Sequence, residues 1–230
     1  MEGPLPTDQI NLTDEESRIM PVPHSDTLGV RQPNAKVAGG GFDQCYNAQA
    51  VVAADSLLVV AINVVQAVND KQQLQPIWRF GTVTCRERNA EMLVKLAALP
   101  ASLGEATTLL ADNGYFSAAN VTACSATPIA PLIAMGRQPH YPPLAECLAG
   151  EPEPPKDPTP VEAMAHRLQT ADGRKLYALR KQIPEPVFGI IKSVMGFRQF
   201  LLRGLDRVRG EWNLVTMAWN MKRMFVLRPV

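Results

Sequence analysis

Cysteine and histidine are scarce in this chain. Its 230 residues include four cysteines (Cys45, Cys85, Cys124, Cys147), at least 23 positions apart and with no CxxC pair, and three histidines (His24, His140, His166). A zinc site or a Cys/His nucleophile has little to build on, and the cysteines read as reduced thiols. Long apolar runs are also missing. The longest, Leu57 to Ile62, is far short of the roughly 20 residues a membrane helix needs. Met1 leads into Glu2-Gly3-Pro4, not into a basic and then apolar leader. These absences predict a cytoplasmic protein without a membrane partner. Disorder throughout is excluded by 46% hydrophobic and only 20% charged residues.

Net charge is nearly absent too, at +1, but it is unevenly distributed. From Arg167 to the C-terminus there are 13 Lys/Arg and 4 Asp/Glu, whereas residues 1–166 hold 10 basic and 18 acidic residues. A basic end on an acidic front suits a polyanion surface, and it equally suits a solvated helical face.

Residues 1–40 lack periodicity and are broken by Pro4, Pro6, Pro21, Pro23, Pro33 and Gly39-Gly40-Gly41, which predicts an irregular arm. Residues 41–136 read as the α/β part of a core. Tyr46 to Val52 and Leu57 to Val65 predict a hairpin around Ala53-Ala54-Asp55-Ser56. Asp70 to Phe80 and Arg86 to Leu99 predict helices. Thr107 to Ala111 and Thr127 to Ala134 predict strands, with a helix capped by Ser117 between them. Such alternation predicts a mixed α/β sheet. Residues 137–160 hold eight prolines and predict an extended linker. Residues 161–230 predict a basic helical part in which one helix ends near Ile183. Another then starts at Pro184, because Pro184 and Pro186 fit only a first turn. Its apolar stripe runs through Val187, Phe188, Ile191, Val194 and Met195.

Two places could carry chemistry. Asp112 sits at the C-terminal end of a predicted buried strand, where α/β folds bind ligands; Asp112-Asn113-Gly114 is also ordinary turn chemistry. Glu185 lies in a predicted first helical turn, seven residues before Lys192, so both fall on one flank. Tyr177 and Arg180 share a face of the preceding helix.

Five strings together with the tail resemble the DDE transposases of bacterial insertion sequences. They are Asn11-Leu-Thr-Asp-Glu-Glu-Ser-Arg-Ile-Met20, Gly41-Phe-Asp-Gln-Cys-Tyr-Asn-Ala-Gln-Ala50, Asn69-Asp-Lys-Gln-Gln-Leu74, Ala111-Asp-Asn-Gly-Tyr-Phe-Ser117 and Glu185-Pro-Val-Phe-Gly-Ile-Ile-Lys192. The tail comprises Gly196 to Leu205 and Glu211 to Arg223. The resemblance implies a ribonuclease H-like fold, a mixed sheet with flanking helices. It also implies two divalent ions (Mg²⁺ or Mn²⁺) held by two Asp and one Glu, which cut and join DNA at the ends of an insertion sequence. Asp112 matches the second catalytic Asp, and Glu185 the catalytic Glu; both would be metal ligands. Tyr177, Arg180 and Lys192 match the Tyr-Arg-Glu-Lys signature, although four residues separate Arg180 from Glu185 where three are usual. Arg198, Arg203, Arg207, Arg209, Lys222 and Arg223 are candidate contacts to the DNA backbone.

The family's first catalytic Asp stands in an Asp-Gly-Thr string on the first strand, and no such string occurs here. The resemblance therefore implies a truncated chain, incomplete at the N-terminal strand, bacterial and nucleoid-associated, which alone binds DNA weakly and cuts or joins it negligibly. The implied protein partners are a second copy of the chain or an upstream transposase fragment, and only the latter could supply the missing Asp. Three readings stay open: a transposase-derived chain with a damaged metal site, a non-catalytic DNA-binding or regulatory fragment, and a remnant without function.

Overall fold

The structure, a computed structural model, describes residues 13–22, 41–74, 107–125, 127–136 and 152–227. Within them run β1 (Arg18–Val22), β2 (Gly41–Cys45), β3 (Asn47–Val52), β4 (Val59–Val65), β5 (Thr108–Ala111), α1 (Ala118–Ser125), β6 (Ala130–Ile133), α2 (Pro160–Gln169), α3 (Ala171–Ala178), α4 (Pro184–Ser193) and α5 (Leu205–Leu227). Short 3-10 turns occupy Asn113–Tyr115 and Leu179–Gln182. The fold is mixed α/β, but the single mixed sheet expected from the sequence is not seen among the described residues. The strands form three pairs: β1–β2 and β3–β4 antiparallel, β5–β6 parallel. Side chains, not strand pairing, join the last two.

The stretch expected to be an irregular arm contains β1. Ser17 Oγ fixes its start, donating to the Asp14 carbonyl (2.8 Å) and to Gln44 Oε1 on β2 (2.9 Å). Pro21 is tolerated because a two-stranded ribbon consists of edges. The helix expected over Asp70 to Phe80 begins with turns and reaches helix only at Leu74, with the remainder outside the described residues. The Arg86 to Leu99 helix lies outside them altogether, as does the linker as far as Glu151.

The β3–β4 hairpin forms as the sequence predicts. Ala53 N donates to Leu58 O, and Leu57 N to Ala53 O, both at 2.9 Å. Helix α5 then locks it through side chains that reach hairpin main chain. Trp212 Nε1 donates to Gln49 O (3.1 Å) and Trp219 Nε1 to Leu57 O (2.8 Å). Asn220 both accepts from Val59 N and donates to Val59 O, each at 2.8 Å. Arg209 Nε donates to Val64 O (3.1 Å) and Arg223 Nε to Ser56 O (2.7 Å). Edge groups that would otherwise lack partners are thereby satisfied. Leu57 takes a left-handed φ of 57°, a conformation that costs about 1 kcal/mol for a residue with a Cβ. The Trp219 bond to its carbonyl helps hold it there.

Two apolar cores follow from this layout. The first unites Val59, Val64, Val187, Ile191, Val208, Trp212 and Trp219. Trp212 is its hub, stacked on Phe188 (5.8 Å between centroids) and Phe197 (6.2 Å) and met edge-on by Phe200 (6.4 Å). The second holds Leu74, Ala111, Val121, Ile133 and Met164. Helix α4 begins at Pro184 as expected, and Val187 and Ile191 are buried, but its apolar stripe stops short. The helix ends at Ser193, so Val194 falls in the cap and is 65% exposed. The linker also yields its last residue: Pro160 opens α2 behind the N-cap Thr159.

Candidate active site

Asp112 follows β5 directly, as the sequence predicts. Its Oδ1 accepts from Gly114 N at 2.9 Å, and this bond caps the Asn113–Tyr115 turn. On the other side, Arg180 Nη1 lies 3.8 Å from Asp112 Oδ2. That is longer than a direct charge-assisted bond of about 2.7–2.9 Å, so the two charges face each other while Oδ2 keeps open lone-pair directions. The Arg180 guanidinium also stands 5.6 Å from the Tyr177 ring centroid, within cation–π range. The structure thus brings Asp112, Tyr177 and Arg180 together across 65 residues or more of chain.

A second carboxylate stands beside them. Asp70, in the turn after β4, accepts through Oδ1 from Asn47 Nδ2 (2.6 Å) and Gln49 Nε2 (2.9 Å), both on β3. Its Oδ2 would lie 3.3 Å from a Cβ placed on Gly114, and Asp112 Oδ1 only 3.1 Å from the same point. A side chain at 114 would push between the two carboxylates; glycine lets them approach. The same turn ties the hairpin to the β5–β6 unit, since Lys71 O accepts from Asn120 Nδ2 (2.8 Å) and Ser117 Oγ (3.2 Å). Sequence reasoning placed Asp70 at the start of a predicted helix, within the Asn69 to Leu74 string, and missed Gln49. The available signal was Asn47 and Gln49, two amides two apart on an otherwise apolar strand, which places both on one face.

The phenols register this electrostatics. Burial pushes the Tyr115 pKa far up, and the charges of Asp70 and Asp112 add to it. Burial also raises Tyr177; the Arg180 charge opposes the rise and Asp112 supports it. Both phenols stay protonated as neutral donors. Two polar atoms here lack any hydrogen-bond partner among the described residues: Gln49 Oε1, on a residue 2% exposed, and Arg180 Nε.

Glu185 occupies the first turn of α4, exposed, with no hydrogen bond or ion pair among the described residues. Lys192 is exposed in the last turn of the same helix. Arg198, Arg203, Arg207 and Lys222 are likewise exposed. Arg209 and Arg223 are partly committed to the hairpin carbonyls, and Arg209 Nη1 also meets Asp206 Oδ1 at 3.4 Å, which leaves Arg209 Nη2 and the outer nitrogens of Arg223 for a phosphate. Among the described residues no three His, Cys, Asp or Glu side chains group to hold a metal. A cleft of about 350 Å³ between β6 and α2, lined by Pro128, Ile129, Pro131, Met164 and Arg167 among others, shares no residue with the Asp112 cluster. Among the described residues no helix is long and apolar enough to cross a membrane.

No curated protein and no solved structure matches the chain. Residues 156–225, which run from before α2 to near the end of α5 and include Tyr177, Arg180, Glu185 and Lys192, match the family described as Transposase DDE domain; in this segment the chain is similar to DDE transposases.

Proposed function

We propose that the chain is a DDE-type transposase component of ribonuclease H-like fold, built for metal-dependent cleavage and transfer of DNA strands at insertion-sequence ends. The observation that carries this reading is the Arg180–Asp112 contact. It ties the segment that matches the family to the strand-end carboxylate that the match does not cover. In this reading Asp112 and Glu185 are the acidic groups of the site. Mg²⁺ or Mn²⁺, when bound, would activate the attacking oxygen and stabilise the leaving one. Arg180 holds Asp112 in place against Tyr177. Lys192, on the helix that carries Glu185 in its first turn, positions a phosphate of the DNA backbone. Arg198, Arg203, Arg207 and Lys222 add sequence-independent contacts, which orient DNA without reading it.

Cleavage by this chain alone is weak in this reading, because Asp112 and Glu185 are two of the three carboxylates that the resemblance calls for. Plasmid nicking in Mg²⁺ and Mn²⁺, with Asp112→Ala and Glu185→Ala as comparisons, tests it. Trace nicking lost in both variants supports the reading, and nicking unaffected by either removes it. The exposed basic residues favour one second reading, a DNA-binding or regulatory fragment that does not cut. Salt-dependent binding with no nicking in either metal would select it.

A further inference from the structure

We infer that Asp70, to which the resemblance assigns no role, is a ligand for a hard divalent cation held jointly with Asp112 and the side-chain oxygen of Gln49. The inference deepens the reading above and rests on it for Asp112 alone.

Three observations converge. The first is the approach of the carboxylates. Asp112 Oδ1 and Asp70 Oδ2 flank the space that a Gly114 Cβ would fill, at 3.1 and 3.3 Å from its position. They therefore cannot be farther apart than the sum of those distances. One Mg²⁺ or Mn²⁺ places its ligand oxygens about 2.0–2.2 Å away and usually keeps several waters. The pair can thus share one ion, one oxygen bound directly and the other directly or through a water. Two carboxylates facing each other repel unless something positive or protic lies between them.

The second is the lone pairs that remain. Asp70 Oδ1 is occupied by Asn47 and Gln49, and this fixes the carboxylate so that Oδ2 faces Gly114. No hydrogen bond engages Oδ2 among the described residues. Asp112 Oδ2 meets only the Arg180 guanidinium, at 3.8 Å. Asp70 Oδ2 is therefore uncommitted, and Asp112 Oδ1, which faces it, accepts only from Gly114 N among the described residues and keeps a further lone-pair direction.

The third is the orphaned amide. Gln49 is 2% exposed, its Nε2 donates to Asp70, and its Oε1 has no partner among the described residues. Leaving a buried carbonyl oxygen unsatisfied costs about 1–3 kcal/mol. Nε2 is fixed on Asp70, so Oε1 of the same planar amide is held beside that carboxylate. A neutral amide oxygen beside two carboxylates is the donor set that hard cations take. A purely structural Asp70 would explain its bonds to Asn47 and Gln49, but not the orphaned oxygen or the glycine-only gap to Asp112.

The test is Mn²⁺ binding by the full chain without DNA, read from the loss of the free-ion paramagnetic resonance signal. Asp70→Asn is the key variant, because an amide oxygen still accepts from Asn47 and Gln49 while the charge is gone. Circular dichroism and the melting temperature check that it folds. Asp70→Asn and Asp112→Asn are each expected to weaken Mn²⁺ binding about tenfold or more. Asp172→Asn, at an exposed carboxylate on α3, should leave it unchanged. Gly114→Ala should also weaken it. Less than a threefold effect of Asp70→Asn in a folded protein overturns the inference. If Asp112→Asn and Glu185→Gln weaken binding while Asp70→Asn does not, the proposed function stands and this inference falls. A wild-type chain that takes up no Mn²⁺ overturns it as well.

Discussion

The hairpin with α5 and the β5–β6 unit with α1 and α2 solve the same problem in different ways. In the first, aromatic rings fill the core and long polar side chains cross from α5 to satisfy hairpin main chain: Arg209, Trp212, Trp219, Asn220 and Arg223 each bond to a strand or turn backbone group. In the second, mostly aliphatic residues pack behind two parallel strands, with Tyr115 and Phe116 at the margin. There the polar groups gather at the strand ends: Asp112, with Asp70 and Arg180 facing it. One half is closed and mutually satisfied. The seam where it meets the other retains unsatisfied atoms and facing carboxylates. Stability is thus concentrated in the hairpin half, and reactive potential at the boundary.

Trp212→Ala attacks the first half at its hub, and the largest loss of stability, about 4 kcal/mol, is expected there. Trp212 is 3% exposed and its ring meets Phe188, Phe197 and Phe200. Amide exchange should show protection falling sharply over Val59–Val65 and much less at Leu110, Leu132 and Ile133. Equal loss across both units would show that the two cores are one cooperative structure and would dissolve the comparison.

A pair of glycines probes the helices that carry the site. A Cβ on Gly173 would lie 1.7 Å from the Arg167 carbonyl oxygen, a main-chain atom that cannot move aside. Gly173→Ala should therefore cost about 3 kcal/mol and shift α3, which carries Tyr177 and leads into Arg180. Gly189 lies in α4 between Glu185 and Lys192 with nothing within 4 Å of its Cβ position. Gly189→Ala should raise stability by about 0.5–1 kcal/mol. Urea unfolding of both variants checks the opposite signs; the same sign in both would mean that the two helix environments have been misread.

How much of this was legible in the sequence differs between the same two regions. The hairpin, the strand ending at Asp112, the Ser117 cap (Asn120 N donates to its Oγ, 3.1 Å) and the helix break at Pro184 are local, and local chemistry announces them. The division into separate strand pairs is not local, because it depends on which edges meet. Strand β1 was hidden because Pro21 and the nearby glycines look like loop, and its pairing is fixed by Gln44, 27 residues from Ser17. At the site, Asp112, Tyr177 and Arg180 do converge, whereas Asp70 and Gln49 were invisible as a unit until β3 and the turn after β4 were folded against Gly114.

Arg209 on α5 and Arg203 just before it separate structural from DNA-facing charge. Arg209→Ala removes the donor to Val64 O, and about 1 kcal/mol of stability should go with it. Arg203 is exposed, without a partner among the described residues, and Arg203→Ala should change stability by less than about 0.5 kcal/mol. If it contacts phosphate, the slope of log affinity against log salt should flatten by about 1. Thermal melting and salt-dependent DNA binding, measured on both variants, assign each arginine. A stability loss at Arg203 with no change at Arg209 would invert the assignment.

The smallest effect belongs to the start of α2, at the rim of the β5–β6 unit. Thr159 Oγ1 accepts from Glu162 N at 3.3 Å, and Glu162 Oε2 accepts from Thr159 N at 2.8 Å. These bonds to the Thr159 main chain and side chain hold the Glu162 carboxyl below the usual range. Its folded pKa is lower than its unfolded one. The contribution is therefore complete above the unfolded value, near pH 4.3 for a glutamate, and disappears as pH falls through the folded value. Thr159→Ala removes the two bonds of the Thr159 hydroxyl, from Glu162 N and to Glu162 Oε2, but keeps the main-chain bond from Thr159 N, and should cost about 1 kcal/mol at neutral pH, as other threonine caps do. The gap between the melting temperatures of the two proteins, recorded from pH 7 down to pH 3, should therefore narrow in acid, where a protonated Glu162 no longer accepts from the Thr159 hydroxyl, and keep the part owed to the Glu162 N bond. A gap that stays constant across that range would assign the stabilisation to the Thr159 hydroxyl alone and leave the carboxylate without a part in it.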